Sequence, residues 1–455
     1  MSISEFLAKL SDLLWGWPMI VLLLGTHIYL TILLRAPQRK VFKAIRISLQ
    51  RDKDAKGDVS QFGALATALA ATIGTGNIVG VAIAVSMGGP GAVFWCWICG
   101  VFGMATKYAE GLLAVKYRVR TADGRMLGGP MYALEKGLNM KWLAILFALF
   151  TAVAALGIGC SVQSNAIAML FEQNYSINHW IVGIATGLLT GAVILGGIRS
   201  IAKVCSTLVP FMALIYILGC FVILIINSAY ILPALKLIVT SAFNGQAAGG
   251  GFVGATVMMA ARYGIARGLF SNESGLGSAP IIAAAAKTKN PVRQALVSST
   301  ATFWDTVVIC AITGLVLVST IISEPDASKL EGAILTHVAF SRIPLIGPHI
   351  LSLGIVTFAL STILGWSYYG ERAMEYLGGR RSTKIYSIVY IIFVILGSGV
   401  NLTLVWNMAD CMNALMAIPN LISLLLLSGV LVSETRKYLW QGNIEMDDES
   451  LETDS

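Results

Sequence analysis

Ala70-Ala71-Thr72-Ile73-Gly74-Thr75-Gly76-Asn77-Ile78-Val79-Gly80 lies in the middle of an apolar segment that runs from about residue 63 to 87. A helix of that length crosses a bilayer, which takes roughly 20 apolar residues. Yet its centre holds three glycines, two threonines and an asparagine. Glycine weakens a helix, and Thr and Asn offer oxygens to a ligand. The expectation is a helix broken at mid-membrane. Unwound backbone survives there only where protein covers it or a cavity solvates it, so the stretch points to a buried binding site.

The rest of the chain fits that setting. Of 455 residues, 56% are hydrophobic and only 12% charged, and the mean hydropathy is +0.76. A soluble globule carries about 25% charged residues. The composition therefore predicts an all-α, polytopic membrane protein. Apolar spans are drawn at 14–34, 62–86, 91–115, 142–171, 180–198, 204–228, 252–286, 295–322, 347–371, 385–402 and 405–433, eleven in all. The first is too long for a signal-peptide core and lacks a basic flank before it, so it is expected to be a retained helix. The segment 35–58 is basic with interleaved apolar residues. It is either an amphipathic interfacial helix or a solvated loop.

The net charge of +8 does not imply nucleic-acid binding, because 25 of the 32 Lys and Arg fall in every second loop and at the C-terminal end, all on one side of the membrane. That bias places the N-terminus outside and the C-terminus in the cytoplasm. The tail from Ile444 is acidic and is expected to be disordered. All seven cysteines lie within spans, which argues against a disulfide framework.

The seventh span carries Arg267-Gly-Leu-Phe-Ser-Asn-Glu-Ser-Gly-Leu-Gly-Ser-Ala-Pro280, which no lipid-facing helix would choose. It is a second break, five spans after the first. With the first span set aside, two sets of five spans each begin with a broken helix. Five is odd, so the sets have opposite orientation. That pattern of inverted repeats points to a secondary transporter. The expected organisation is an N-terminal helix and basic segment (1–61), a first repeat (62–228), an extracellular connection (229–251), a second repeat (252–433) and an acidic tail (434–455).

Half-helices that meet at a break offer amides to a carboxylate and carbonyls to a small hard cation. Amides at Thr75, Gly76 and Asn77 suit the first role. Carbonyls of Ala70 and Ile73 suit the second, with hydroxyls of Ser361 and Thr362 to complete the shell or else to bond back to their own helix. Trp366 is expected to wall the cavity. Gln163 and Asn165 face either a substrate or a neighbouring helix. Lys107 and Glu110 are spaced to pair, Glu371 and Arg372 read as structural, and Glu273 and Asp305 are candidates for a coupling network. No catalytic motif is present, so an enzyme is not expected.

Several stretches in order resemble the sodium:alanine symporter family: residues 72–80, 88–95, 107–110, 128–132, 267–280 and 365–372. The likeness covers nearly the whole chain, with Ser274 standing where the family has Ala more often. The resemblance implies bacterial or archaeal inner-membrane proteins that import small neutral amino acids with Na⁺ by alternating access. It implies a leucine-transporter-type five-plus-five fold with one extra N-terminal helix. By similarity, the substrate would meet Thr75, Gly76, Asn77, Gln163, Phe270, Gly275, Leu276 and Trp366. Sodium would meet Ala70, Ile73, Ser361 and Thr362, with a second ion at Thr72 and Asn77. No organic cofactor and no obligate protein partner are implied. Another amino acid such as glutamine or serine, or H⁺ in place of Na⁺, stays open.

Overall fold

The computed structural model describes residues 3–50, 52, 55–244, 256–330, 332–399 and 403–448. The expected start of the seventh span (252–255), part of the connection (245–251), the end of the tenth span (400–402) and the tail from 449 lie outside the described residues.

The chain is helical nearly throughout. Helices α1 (Ile3–Leu14) and α2 (Trp17–Leu33) form one long apolar span that starts earlier than expected. A short helix, α3 (Val41–Ser48), follows in the basic segment. Its Ala44 and Ile47 are buried while Phe42 and Leu49 are exposed, as an interfacial helix requires. Next come α4 (Gln61–Thr72) and α5 (Gly76–Gly88), bent by 54° at the first break. Further along are α6 (Gly91–Lys116), α7 (Lys141–Tyr175), α8 (His179–Ile194), α9 (Gly197–Ile226) and α10 (Ser228–Phe243). The apolar helix α10 occupies the expected connection and packs on α6.

The second half holds α11 (Val257–Asn272), α12 (Pro280–Ala283), α13 (Pro291–Ser323), α14 (Gly332–Ser341), α15 (Gly347–Gly378), α16 (Arg380–Gly399), α17 (Thr403–Leu426) and α18 (Ser428–Trp440). Among the described residues, seven helices are long and apolar enough to cross a membrane, or nine when each bent pair counts as one span. The protein is a multi-pass membrane protein.

Side chains mark where helices begin. Ser60 Oγ accepts the Gly63 amide at 3.0 Å and opens α4. Thr256 does the same for α11 through Met259, and Asn290, followed by Pro291, opens α13 through Arg293. The second break is set by backbone conformation. Glu273, Gly275 and Gly277 have φ of 55°, 88° and 86°, a left-handed run that no α-helix accommodates.

The seventh span does not resume as a long helix. After the four residues of α12 the chain makes one more tight turn through Ala284 and Ala285 and then leaves the helix, where Ala286 pairs with Val59. Arg118 accounts for this, because its guanidinium donates to the carbonyls of Ala284 and Ala286 at 3.3 and 3.0 Å. Helix continuation would need those carbonyls.

The acidic tail is not free at its start. Asn290 Nδ2 donates to the carbonyls of Ile444 and Met446, Arg293 pairs with Glu445 at 2.7 Å, and the Asp448 amide bonds the Lys289 carbonyl. Residues 444–448 are thus docked against the start of α13 by Asn290, Arg293 and the Lys289 carbonyl. Arg372 bonds both Glu371 and Glu375, and Arg125 pairs with Glu375 at 2.7 Å, the structural cluster expected there.

Helix α15 comes against α4 so closely that a Cβ on Gly365 would lie 2.7 Å from the Ala71 amide nitrogen. Gly365→Val should therefore force the two helices apart and cost about 1–3 kcal/mol, seen as a lower unfolding temperature of the detergent-purified protein.

Candidate functional site

The site is built at the end of α4. Ile73 turns out of the helix with ψ of 92°. In a continued helix the Gly74 amide would bond the Ala70 carbonyl. It goes instead to Asn77 Oδ1 at 2.9 Å. That diversion leaves the last carbonyls of α4 pointing past the helix end.

Across from them lie two hydroxyls of α15. Ser361 Oγ is 3.5 Å from the Ile73 carbonyl oxygen, and a Cβ on Gly74 would sit 2.6 Å from Thr362 Oγ1. Both hydroxyls donate to the Phe358 carbonyl at 2.9 Å. Their protons are thus spent on their own helix, and their lone pairs remain for a cation. Ile73 and the two hydroxyls form a neutral, all-oxygen donor set, of the kind a hard monovalent cation takes. Ala70 is fully buried just behind them.

Thr75 and Gly76 line a cavity of about 280 Å³ beside this cluster, with Phe270 on its wall. The cavity extends past Val79 and Ile83 of α5, Gln173 of α7 and Ala333 of α14. It therefore lies on the side opposite α3 and the basic loops. Thr75 Oγ1 donates to Gln163 Oε1 at 3.3 Å, and Gln163 Nε2 donates to the Ile158 carbonyl at 3.2 Å. A wide helical turn at Ala155–Ser161 frees that carbonyl. Asn165 instead bonds the Ser398 carbonyl of α16 at 3.5 Å.

Not every expected residue joins the cavity. Trp366 is 1% exposed and packs on Gly159, where a Cβ would lie 2.5 Å from its own Cβ, so it sits behind the cavity wall. Gly275 faces Leu23, Leu421 and His27, away from Thr75, and Leu276 is fully buried. Thr72 turns its hydroxyl back to the Ala68 carbonyl at 3.2 Å. Asn77 is spent on protein too. Its Oδ1 holds Gly74, its Nδ2 reaches Asp305 Oδ1 at 2.7 Å, and its own amide bonds the Gly74 carbonyl. Of the pair named for a second ion, Asn77 has both side-chain polar atoms engaged by protein, while Thr72, like Ser361 and Thr362, keeps its lone pairs. Arg267 is the residue whose place in the site the sequence did not single out. It lines the cavity and lies 5.9 Å from the Phe270 ring centre. Its signal was a charge in an apolar span.

Two buried carboxylates brace the two breaks. Asp305 of α13 accepts Asn77 from the first break, and Ser271 and Thr306 at 2.9 and 2.6 Å. Glu110 of α6 accepts the amides of Gly275 and Gly277 in the second break at 3.0 and 3.1 Å, and Asn420 at 2.7 Å. Lys107 lies 3.9 Å from Glu110, the expected pair, both fully buried. Glu273 accepts Ser278 at 2.5 Å within its own loop.

The chain matches the model of the sodium:alanine symporter family over residues 1–452. It belongs to the sodium:alanine symporter family. Within the family it is 50% identical to the sodium/alanine symporter AgcS of Methanococcus maripaludis, over 96% of this chain and 98% of that one. It is 36% identical to a Bacillus subtilis protein named "Probable sodium/glutamine symporter GlnT", over 95% of this chain and 90% of that one. The fold is similar to that of a solved Eremococcus coleocola manganese transporter, with a TM-score of 0.51 and 12% identity over 86% of this chain and 92% of that one. The family is one of symporters, and the broken helices described above carry the stretches that resemble it.

Proposed function

We propose that the protein imports small neutral amino acids, alanine foremost, with Na⁺ by alternating access. The observation that carries this is the meeting of the Ile73 carbonyl with the Ser361 and Thr362 hydroxyls beside a cavity lined by Thr75 and Gly76. A cation held there sits on α15 and α4 at once, so it favours the conformation in which they meet. That differential affinity is the whole of coupling. The substrate carboxylate takes the N-terminal end of α5 at Thr75 and Gly76, Gln163 orients it through Thr75, and Phe270 and Arg267 bound the entry. Identity to AgcS supports alanine and sodium; glycine follows from its smaller side chain.

The architecture we propose has eleven crossings: α1–α2, then α4–α5, α6, α7, α8 and α9, then α11–α12, α13, α15, α16 and α17–α18. The two sets of five form an inverted repeat. Packing supports it, since exchanging the sets maps contacts onto contacts. Helix α7 on α17 corresponds to α9 on α15, α6 on α11 to α13 on α4, and α7 on α8 to α15 on α16. The carboxylates obey the same exchange. Loop charges place the N-terminus outside a bacterial or archaeal inner membrane. The cavity then faces outward, and opening inward must part the Val59–Ala286 pairing that Arg118 reinforces.

Uptake of labelled L-alanine into proteoliposomes tests the proposal. An inward Na⁺ gradient should drive accumulation that choline and a pH gradient alone do not, and glycine should compete. Accumulation on a pH gradient alone would overturn sodium coupling, and competition by glutamine but not glycine would overturn the substrate. Thr362→Ala should raise the Na⁺ concentration for half-maximal uptake about tenfold, as loss of one ion ligand worth about 1.4 kcal/mol does. Ser361→Ala should act in the same direction, and an unchanged Na⁺ dependence in both would remove the ion from this place.

A further inference from the structure

A second cavity, of about 370 Å³, lies between α3, α4, α9 and α13. It runs from Leu49 and Phe62 at its mouth, past Ala213 and Leu214, to Trp304 and Ile73 at its end. Leu49 and Leu214 are 68% and 58% exposed, so the groove opens on the outer surface of the helix bundle, where hydrocarbon is the solvent. Ser48 is its one polar lining residue, and its hydroxyl is turned to the Ile45 carbonyl at 2.7 Å. Nothing inside asks for a polar ligand.

Its length fits one kind of occupant. From residue 62 to residue 73 a helix rises about 16 Å, which is half of a hydrocarbon core of about 30 Å. That is the depth of one leaflet. The mouth has the matching charge. Arg46 of α3 is exposed next to Ile45, which lines the groove. Lys203 of α9 is exposed next to Ala202, which packs against Gly63 at the start of α4. Among the described residues neither Arg46 nor Lys203 has an ion-pair partner.

We propose that this groove binds one acyl chain of an anionic phospholipid, with its phosphate held by Arg46 and Lys203. Neutral side chains would suffice for any lipid tail; two unpaired cations at the mouth select an anionic head. The chain's end meets Ile73, so the lipid packs against the unwound turn from outside.

Native mass spectrometry of the purified protein tests this, with phosphatidylglycerol and phosphatidylcholine of the same chains added back in turn. The parent should retain one phosphatidylglycerol, and phosphatidylcholine far less. The double variant Arg46→Gln, Lys203→Gln should lose the preference, each charge being worth about fivefold in retention. Ala213→Phe fills the groove from its lipid side and should lose both lipids. Leu214→Glu, at an exposed position, should do the same without disturbing buried packing. Phosphatidylglycerol should raise the unfolding temperature of the parent and not of the filled variants, because only a ligand bound to the folded state stabilises it. Equal retention of the two lipids by the parent, or undiminished phosphatidylglycerol on both filled variants, would overturn the proposal. So would a dimer that Ala213→Phe separates, since a second copy would then fill the groove.

Discussion

Asp305→Ala should cut alanine uptake about a hundredfold at unchanged membrane abundance, while Asp305→Asn should cost far less. Asp305 is fully buried and accepts from Asn77, Ser271 and Thr306. It thereby joins the turn after α4, the end of α11 and its own helix α13. Truncation leaves the Asn77 amide short of its charged acceptor, and a bond to a charged group is worth about 1.5–3 kcal/mol. At the upper end that is about a hundredfold in rate. Asparagine keeps an acceptor for Asn77, and its amide can donate to the two hydroxyls, which rotate to accept. Uptake assays of both variants decide between two roles. If the residue serves as a brace, asparagine rescues. If its charge is itself used in coupling, asparagine fails as badly as alanine, and the brace is the wrong account.

The second large effect is on stability. Glu110→Gln should destabilise the protein by about 3–5 kcal/mol, although glutamine keeps an oxygen for Gly275, Gly277 and Asn420. The reason is Lys107. It has no exposure, and among the described residues Glu110 is its one ion-pair partner. Removing one member of a buried pair strands the other charge. The double variant Lys107→Met, Glu110→Gln should recover most of the loss. Unfolding temperatures of the parent, the two single variants and the double variant complete the cycle. Additive losses in the double variant would mean that the two residues do not act on each other.

Both breaks were legible in the chain because glycine, Asn and Ser at mid-span have few other uses in a membrane helix. The approach of Ser361 and Thr362 to the end of α4 was legible as well: an exposed helix end and a Ser-Thr pair are chemical statements that need little geometry. What the sequence could not show was who claims a polar side chain first. Asn77 reads as a ligand until Asp305, 228 positions away, takes its amide. Gly275 belongs to a broken helix, but which side of the break faces the cavity depends on packing against Leu23 and Leu421. Trp366 reads from sequence as a wall of the cavity, whereas its depth is set by the close approach of Gly159, which is 207 positions away and not visible in the sequence. The length of α12 was hidden too, since the run 281–286 is apolar enough to continue as helix, and its carbonyls are claimed by Arg118 and by the amides of Asp58 and Val59, both far away in sequence. Docking of residues 444–448 depended on Asn290 and Arg293, which look from sequence like loop residues.

The way Glu110 is satisfied bears on how the protein is made. Its acceptor oxygen waits for Gly275 and Asn420, which lie 165 and 310 residues downstream. Synthesis proceeds from the N-terminus at about 5–20 residues per second, so α6 is inserted many seconds before either partner exists. During that interval a bare carboxylate would be held in hydrocarbon. Lys107, one turn away on the same helix, is available from the start. The pair accompanies the nascent helix into the bilayer as a neutral unit, and the later helices then draw Glu110 into its final bonds. On this view the lysine is retained for biogenesis as much as for the finished fold. Lys107→Met should therefore lower the yield of inserted protein more than it lowers the unfolding temperature of the protein that survives.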